Sequence, residues 1–116
     1  MDKKISSYAL FMKALGDETR VKIFHMLSQG ELCACDILDE FDITQPTLSY
    51  HMKILNDSGL VNSRRDGIWM KYTINTGNLK ALTAFLQDIA AGNLNRIMMQ
   101  EVQGSDTHGR FEQNGY

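Results

Sequence analysis

The sequence predicts a mainly α chain with one β-hairpin, in the order of a winged helix-turn-helix. Three observations predict it. Apolar residues recur at helical spacing from Ile5 to Leu55, divided by turn signals into four helices. The period then changes to alternation between Leu60 and Ile74, around the hairpin signal Asp66-Gly67. A further helical stripe begins near Leu79.

Ile5, Tyr8, Met12 and Leu15 form the first stripe, widened by Phe11. Gly16 suits a helix C-terminus and Asp17 an N-cap, so a second helix follows, burying Val21, Phe24 and Leu27 and ending near Gly30. A short third helix spans about Cys35 to Glu40, with Ile37 and Leu38 inward. Asp42 to Thr44 makes a tight connection, and Thr44 caps a fourth helix. Pro46, the only proline, falls in its first turn, where a missing N–H costs nothing. Leu48, Met52 and Leu55 turn one face of it to the core, and Ser58-Gly59 ends it. In the hairpin, Ile68, Met70, Tyr72 and Ile74 alternate with Trp69, Lys71 and Thr73, placing Arg64 and Arg65 just before the tip. Thr76-Gly77-Asn78 reads as a loop. A last helix then carries Leu79, Leu82, Leu86 and Ile89 until Gly92-Asn93 ends or kinks it. From Gln103 the composition turns polar and glycine-rich. The expected division is therefore a domain over residues 1–93 and a flexible extension over 94–116.

A chain of 116 residues with 43% hydrophobic content supports one modest core. No apolar run approaches the roughly 20 residues that span a bilayer, and no clean signal-peptide core follows Met1, so a cytoplasmic protein is expected. The formal net charge of -2 argues against a general polyanion binder. It leaves DNA open, because phosphate contacts depend on local charge. Between Thr44 and Tyr72 the cations Lys53, Arg64, Arg65 and Lys71 outnumber Asp57 and Asp66.

A DNA-reading helix needs short polar side chains near its N-terminus for base edges and cations farther along for phosphates. Gln45, Thr47, Ser49 and Tyr50 supply the first and Lys53 the second. Arg64, Arg65 and Lys71 on the hairpin are placed for backbone or a minor groove. A polar helix face alone is usually just solvated; the basic hairpin after it favours double-stranded DNA.

Cys33 and Cys35 are separated only by Ala34. A disulfide there would constrain almost no chain, so stapling is not its expected purpose. Close spacing in a reducing compartment points to metal binding or redox chemistry. The bland alternative is a pair of small, partly buried apolar residues.

Glu31-Leu32-Cys33-Ala34-Cys35-Asp36-Ile37-Leu38 resembles the metal-binding box of the ArsR/SmtB family of metal- and metalloid-responsive repressors. Gln45 to Leu55 resembles that family's recognition helix, and Ser63-Arg64-Arg65-Asp66-Gly67 with Lys71-Tyr72 its wing. The resemblance runs from about Ala9 to Asn93. It implies a homodimer joined by the first and last helices, bound to an inverted-repeat operator. It also implies release when trivalent arsenic or antimony, or another thiophilic ion, occupies Cys33 and Cys35. No cofactor is expected for folding. The sequence departs from the pattern at Leu38, where some relatives have a third cysteine, and at Tyr50, where some have arginine. A third ligand for arsenic would be a small-molecule thiol, hydroxide or a partner cysteine.

On a regular helix, residues i and i+2 point about 200° apart. Cys33 and Cys35 therefore share an ion only at an irregular helix start or by distorting that start, and distortion is the favoured expectation. His25, His51 and His108 form no ligand set, with His51 structural or DNA-facing. The last helix offers only Asp88 to a zinc site of the type some relatives carry there. Trp69 is expected to pack beneath the wing, and the methionines to fill the core. Rival functions are a redox-sensing repressor using the same cysteines, a thiol oxidoreductase, and a protein-interaction module. The oxidoreductase lacks the CxxC spacing and βαβ setting such enzymes use.

Overall fold

The computed structural model describes residues 2–102, with side chains described through residue 92. The order is α1 (Lys3–Ala14), α2 (Glu18–Leu27), β1 (Leu32–Cys33), α3 (Ala34–Leu38), α4 (Gln45–Ser58), β2 (Val61–Asp66), β3 (Trp69–Ile74) and α5 (Thr76–Val102). The strands form one antiparallel sheet in the order β1-β3-β2. The architecture is a winged helix-turn-helix, mainly helical with a small sheet.

Each helix start has a chemical cause. Asp2 accepts from the Lys4 N–H, Asp17 from the Arg20 N–H and Thr44 from the Thr47 N–H, each satisfying a first-turn donor. Pro46 sits in the first turn of α4 as expected, and Gly59 closes that helix at φ 95°, a left-handed conformation open to glycine.

One core cluster joins Ala14, Ile23, Leu27, Ile37, Leu48, Met52, Leu55 and Val61. A second joins Phe11, Leu60 and Leu82. The inward face of α4 is the expected one. In α1 and α2, Phe11 and Leu27 are buried as expected, but Ala14 and Ile23 join them while Ile5, Met12 and Val21 are exposed. These helices each have more apolar residues than one core face holds, so periodicity alone did not choose the face.

Four other expectations are corrected. The sequence reading contained no β1; Leu32 pairs with Tyr72 and Cys33 with Lys71, making the sheet three-stranded. The hairpin loop is Gly67-Ile68, because Asp66 stays in the ladder opposite Trp69 while Gly67 takes φ 66° at the first loop position. The last helix begins at Thr76, because the Asn75 side chain accepts from the Asn78 N–H and caps it earlier. It also runs through Gly92-Asn93 to Val102.

The expected extension from residue 94 thus opens inside α5, and its part beyond residue 102, with His108, lies outside the described residues. The chain divides into two compact units, residues 1–82 and residues from Thr83 onward. Among the described residues, no helix is long and apolar enough to cross a membrane.

Candidate functional site

Cys33 ends β1 and is also the N-cap of α3, with extended backbone at φ -84° and ψ 161°. Its sulfur accepts from the Asp36 N–H at 3.3 Å, and its own N–H donates to Asp36 Oδ2 at 3.1 Å. This is a capping box in which cysteine takes the place usually held by serine or threonine. Because Cys33 lies outside the helix and Cys35 inside its first turn, the regular-helix separation of the two side chains does not apply. Ligand atoms of Cys33, Cys35 and Asp36 all lie within 4.8 Å of one another. The helix start is thus already irregular, which is the first of the two expected routes for the sulfurs to meet.

The two cysteines are joined in a disulfide, with Cα atoms 5.3 Å apart. The spacing argument did not anticipate this bond, although its grounds against stapling stand, since only Ala34 lies inside the ring. Ion capture requires the dithiol form, because the thiolate is the ligand.

Glu31, two residues before Cys33, grips the wing. Its carboxylate accepts from Arg64 Nε and Nη2, both at 2.8 Å. The Arg64 hydrogen bond holds the Glu31 carboxyl below the usual carboxylate range, and the same bond pushes the Arg64 guanidinium up. Together with the Cys33–Lys71 pairing, this ties the thiol segment to the hairpin at backbone and side chain. Sequence reasoning placed Glu31 and Asp36 in the box but foresaw neither the Arg64 partner of the first nor the capping role of the second. The Cys-x-x-Asp capping pattern was the available signal for the second.

On α4, Gln45, Thr47, Ser49, Tyr50 and Lys53 are all exposed. Thr44 Oγ1 donates to Thr47 Oγ1 at 3.0 Å. Lys53 meets Asp57 at 2.8 Å, and that hydrogen bond raises the Lys53 pKa. On the wing, Lys71 lies 3.2 Å from Asp66. Arg65 makes no ion pair among the described residues. Of the sequence-predicted cations, Lys53, Arg64 and Lys71 are thus each matched to a local acid. Such exposed pairs are weak and readily exchanged for phosphate.

His51 is structural. Its Nδ1 lies 3.1 Å from Arg20 Nη1 and 3.9 Å from Asp17 Oδ2, and Arg20 Nε donates to the Ala14 carbonyl at 2.7 Å. This cluster fastens α4 to the start of α2. The Arg20 N–H bond holds the Asp17 carboxyl below its ordinary value, with smaller charge contributions from Arg20 and His51. His25 is exposed. Trp69 is 47% exposed at the start of β3, so it packs beneath the wing only in part.

Residues 17–63 match the family model described as bacterial regulatory protein, arsR family. An arsenical resistance operon repressor from Staphylococcus aureus is 42% identical over 95 residues, spanning 82% of this chain and 90% of its own. A cadmium resistance transcriptional regulatory protein CadC homolog from Staphylococcus aureus is 38% identical over 81 residues, 67% of each chain. Among solved structures, the homodimeric winged helix-turn-helix DNA-binding domain of a possible ArsR-family regulator from Mycobacterium bovis superposes with a TM-score of 0.61. It is 29% identical and covers 79% of this chain and 85% of its own.

Proposed function

Because the chain belongs to the ArsR family of bacterial regulatory proteins, we propose that it is a cytoplasmic repressor of arsenical resistance. It binds an inverted-repeat operator as a homodimer, and trivalent arsenic or antimony releases it by binding the reduced Cys33 and Cys35. The family is one of non-enzymatic regulators. The observation that carries the reading is the convergence of Cys33, Cys35 and Asp36 at a helix start paired to the wing.

Soft sulfur ligands select thiophilic ions over magnesium or calcium. Asp36 is a candidate third ligand for an inorganic ion, an option beside hydroxide and external thiols. Gln45, Thr47, Ser49 and Tyr50 face base edges in the major groove, and Lys53, Arg64, Arg65 and Lys71 exchange their acids for phosphates. Capture pulls on Cys33, which is at once the cap of α3 and the β-partner of Lys71. Its effect therefore reaches the scaffold behind α4 and the wing together. The dimer forms through α1 and α5, where Ile5, Leu10 and Met12 on the first and Leu86 and Ile89 on the last are exposed. Residues 1–93 carry the reading and pairing functions, with 94–116 as an extension.

A gel shift with phosphine-reduced protein and operator DNA tests this across arsenite, antimonite, cadmium, lead and zinc. Release by the trivalent metalloids is expected for the native chain, and continued binding for a Cys33→Ser, Cys35→Ser variant. Equal release of both proteins would place the switch elsewhere. Release by peroxide and not by arsenite would assign the cysteines to oxidation sensing.

A further inference from the structure

The wing ends in a side chain that the fold does not use. Ile68 stands at the second loop position of the hairpin and is 81% exposed, more than any other large apolar residue among those described. Two-residue hairpin loops favour glycine, asparagine and aspartate, so a β-branched aliphatic gains nothing there from the turn. The tip also stands clear of the body, since a Cβ built on Gly67 meets no atom within 4 Å. Ile68 and Trp69 nevertheless line one cleft of about 330 Å³ with Gln45 and Ser49 of α4. The tip and the reading helix thus border the same opening.

The charge around the tip says what it meets. A lone exposed aliphatic is ordinary on a protein surface, but this one is set among cations. Arg64, Arg65 and Lys71 lie within four residues of it, and the nearest acid in the chain, Asp66, is held by Lys71 at 3.2 Å. Arg65 makes no ion pair among the described residues. A polyanion therefore suits the tip better than a neutral apolar surface does, and the opening shared with α4 makes that polyanion the duplex. We propose that Ile68 is a wedge, which enters the minor groove beside the segment read by α4 and unstacks one base step there. The inference rests on the DNA-reading assignment above and adds to it a groove, a residue and a deformation. An undistorted minor groove, about 6 Å wide, is too narrow for the ribbon itself but admits a side chain from its tip. Aliphatic wedges kink duplexes in this way, and pyrimidine–purine steps yield most easily. The chain then prefers TA or CA/TG where the tip falls, without any hydrogen bond to those bases.

The probe is a duplex that the phosphine-reduced native chain selects from a random pool, with 2-aminopurine placed step by step where the tips fall. The native chain is expected to raise 2-aminopurine fluorescence at one step in each half-site. Ile68→Ser abolishes that rise and weakens binding about tenfold, while Ile68→Leu keeps both. Neither variant removes a cation, so the slope of affinity against salt stays that of the native chain. Replacing the unstacked step by the stiffer AA weakens the native chain and leaves Ile68→Ser indifferent. Both variants change an exposed loop side chain, and an unchanged Tm verifies that they fold. Unstacking and affinity both unaltered by Ile68→Ser overturn the wedge and leave DNA reading by α4 standing. A loss of affinity without unstacking, matched when uracil replaces thymine, seats Ile68 on a major-groove methyl and overturns it equally. Failure of the pool to yield any preferred duplex overturns the DNA-reading assignment itself.

Discussion

Two carboxylates, Glu31 and Asp17, have separable jobs that single substitutions can isolate. Glu31 holds Arg64 through two hydrogen bonds at the protein surface, where such a pair is readily given up to phosphate. Glu31→Gln should free Arg64 and strengthen operator binding a few-fold at low salt, read by fluorescence anisotropy. Weaker binding instead would mean that Glu31 aims Arg64 at the DNA. Asp17 has a different signature. Its carboxyl is held below the ordinary value of 3.8, chiefly by the Arg20 N–H. A depressed folded-state pKa stabilises above the unfolded value and is lost as pH falls through the folded one. Asp17→Asn keeps a capping oxygen but cannot titrate. Its urea midpoint should therefore fall less than the native one between pH 5 and pH 3. The Cys33 and Cys35 pair was singled out by its spacing and, more, by the box around it, but its convergence was not legible. That depends on where α3 starts, which the Cys33–Asp36 capping box decides.

Helix α4 was the most legible segment because its local signals agree: the Thr44 cap, Pro46 in the first turn, the Leu48-Met52-Leu55 stripe and Gly59. Each signal has a measurable consequence. Thr44→Ala removes the acceptor for the Thr47 N–H and should cost about 1 kcal/mol, seen as a lower Tm. Gly59→Ala forces a side chain into a left-handed backbone and brings a Cβ within 3.1 Å of the Asn78 side chain. A loss of about 1–2 kcal/mol is expected, and an unchanged Tm would contradict the assigned cap. Strand β1 was illegible for the opposite reason. Two residues show no alternation, and the strand exists only because the free edge of β3 accepts Leu32 and Cys33. The hairpin loop shifted by one residue because Asp66 has a ladder place and a Lys71 partner, leaving Gly67 to turn the chain. The start of α5 shifted because Asn75, which a pattern of apolar residues does not register, caps it.

Across the molecule, a chain of net charge -2 carries Lys53 on α4 and Arg64, Arg65 and Lys71 on the wing, and leaves Ile5, Leu10 and Met12 of α1 40%, 54% and 43% exposed. Periodicity put Ile5 and Met12 in the apolar stripe, and the exposure of all three fits a face completed by a second copy. Leu10→Asp should shift the sedimentation of the protein toward a monomer and weaken operator binding, whereas an intact dimer would remove α1 from the interface. The central claim is that sulfur capture at Cys33 and Cys35 releases the operator, and its most direct measurement is a stoichiometric titration. Operator anisotropy is followed while arsenite is added to phosphine-reduced protein at concentrations far above the dissociation constant. The account predicts complete release near one arsenic per protomer, and none for the disulfide form. Release by arsenite of the operator complex formed with the disulfide form, at the same stoichiometry, would contradict it.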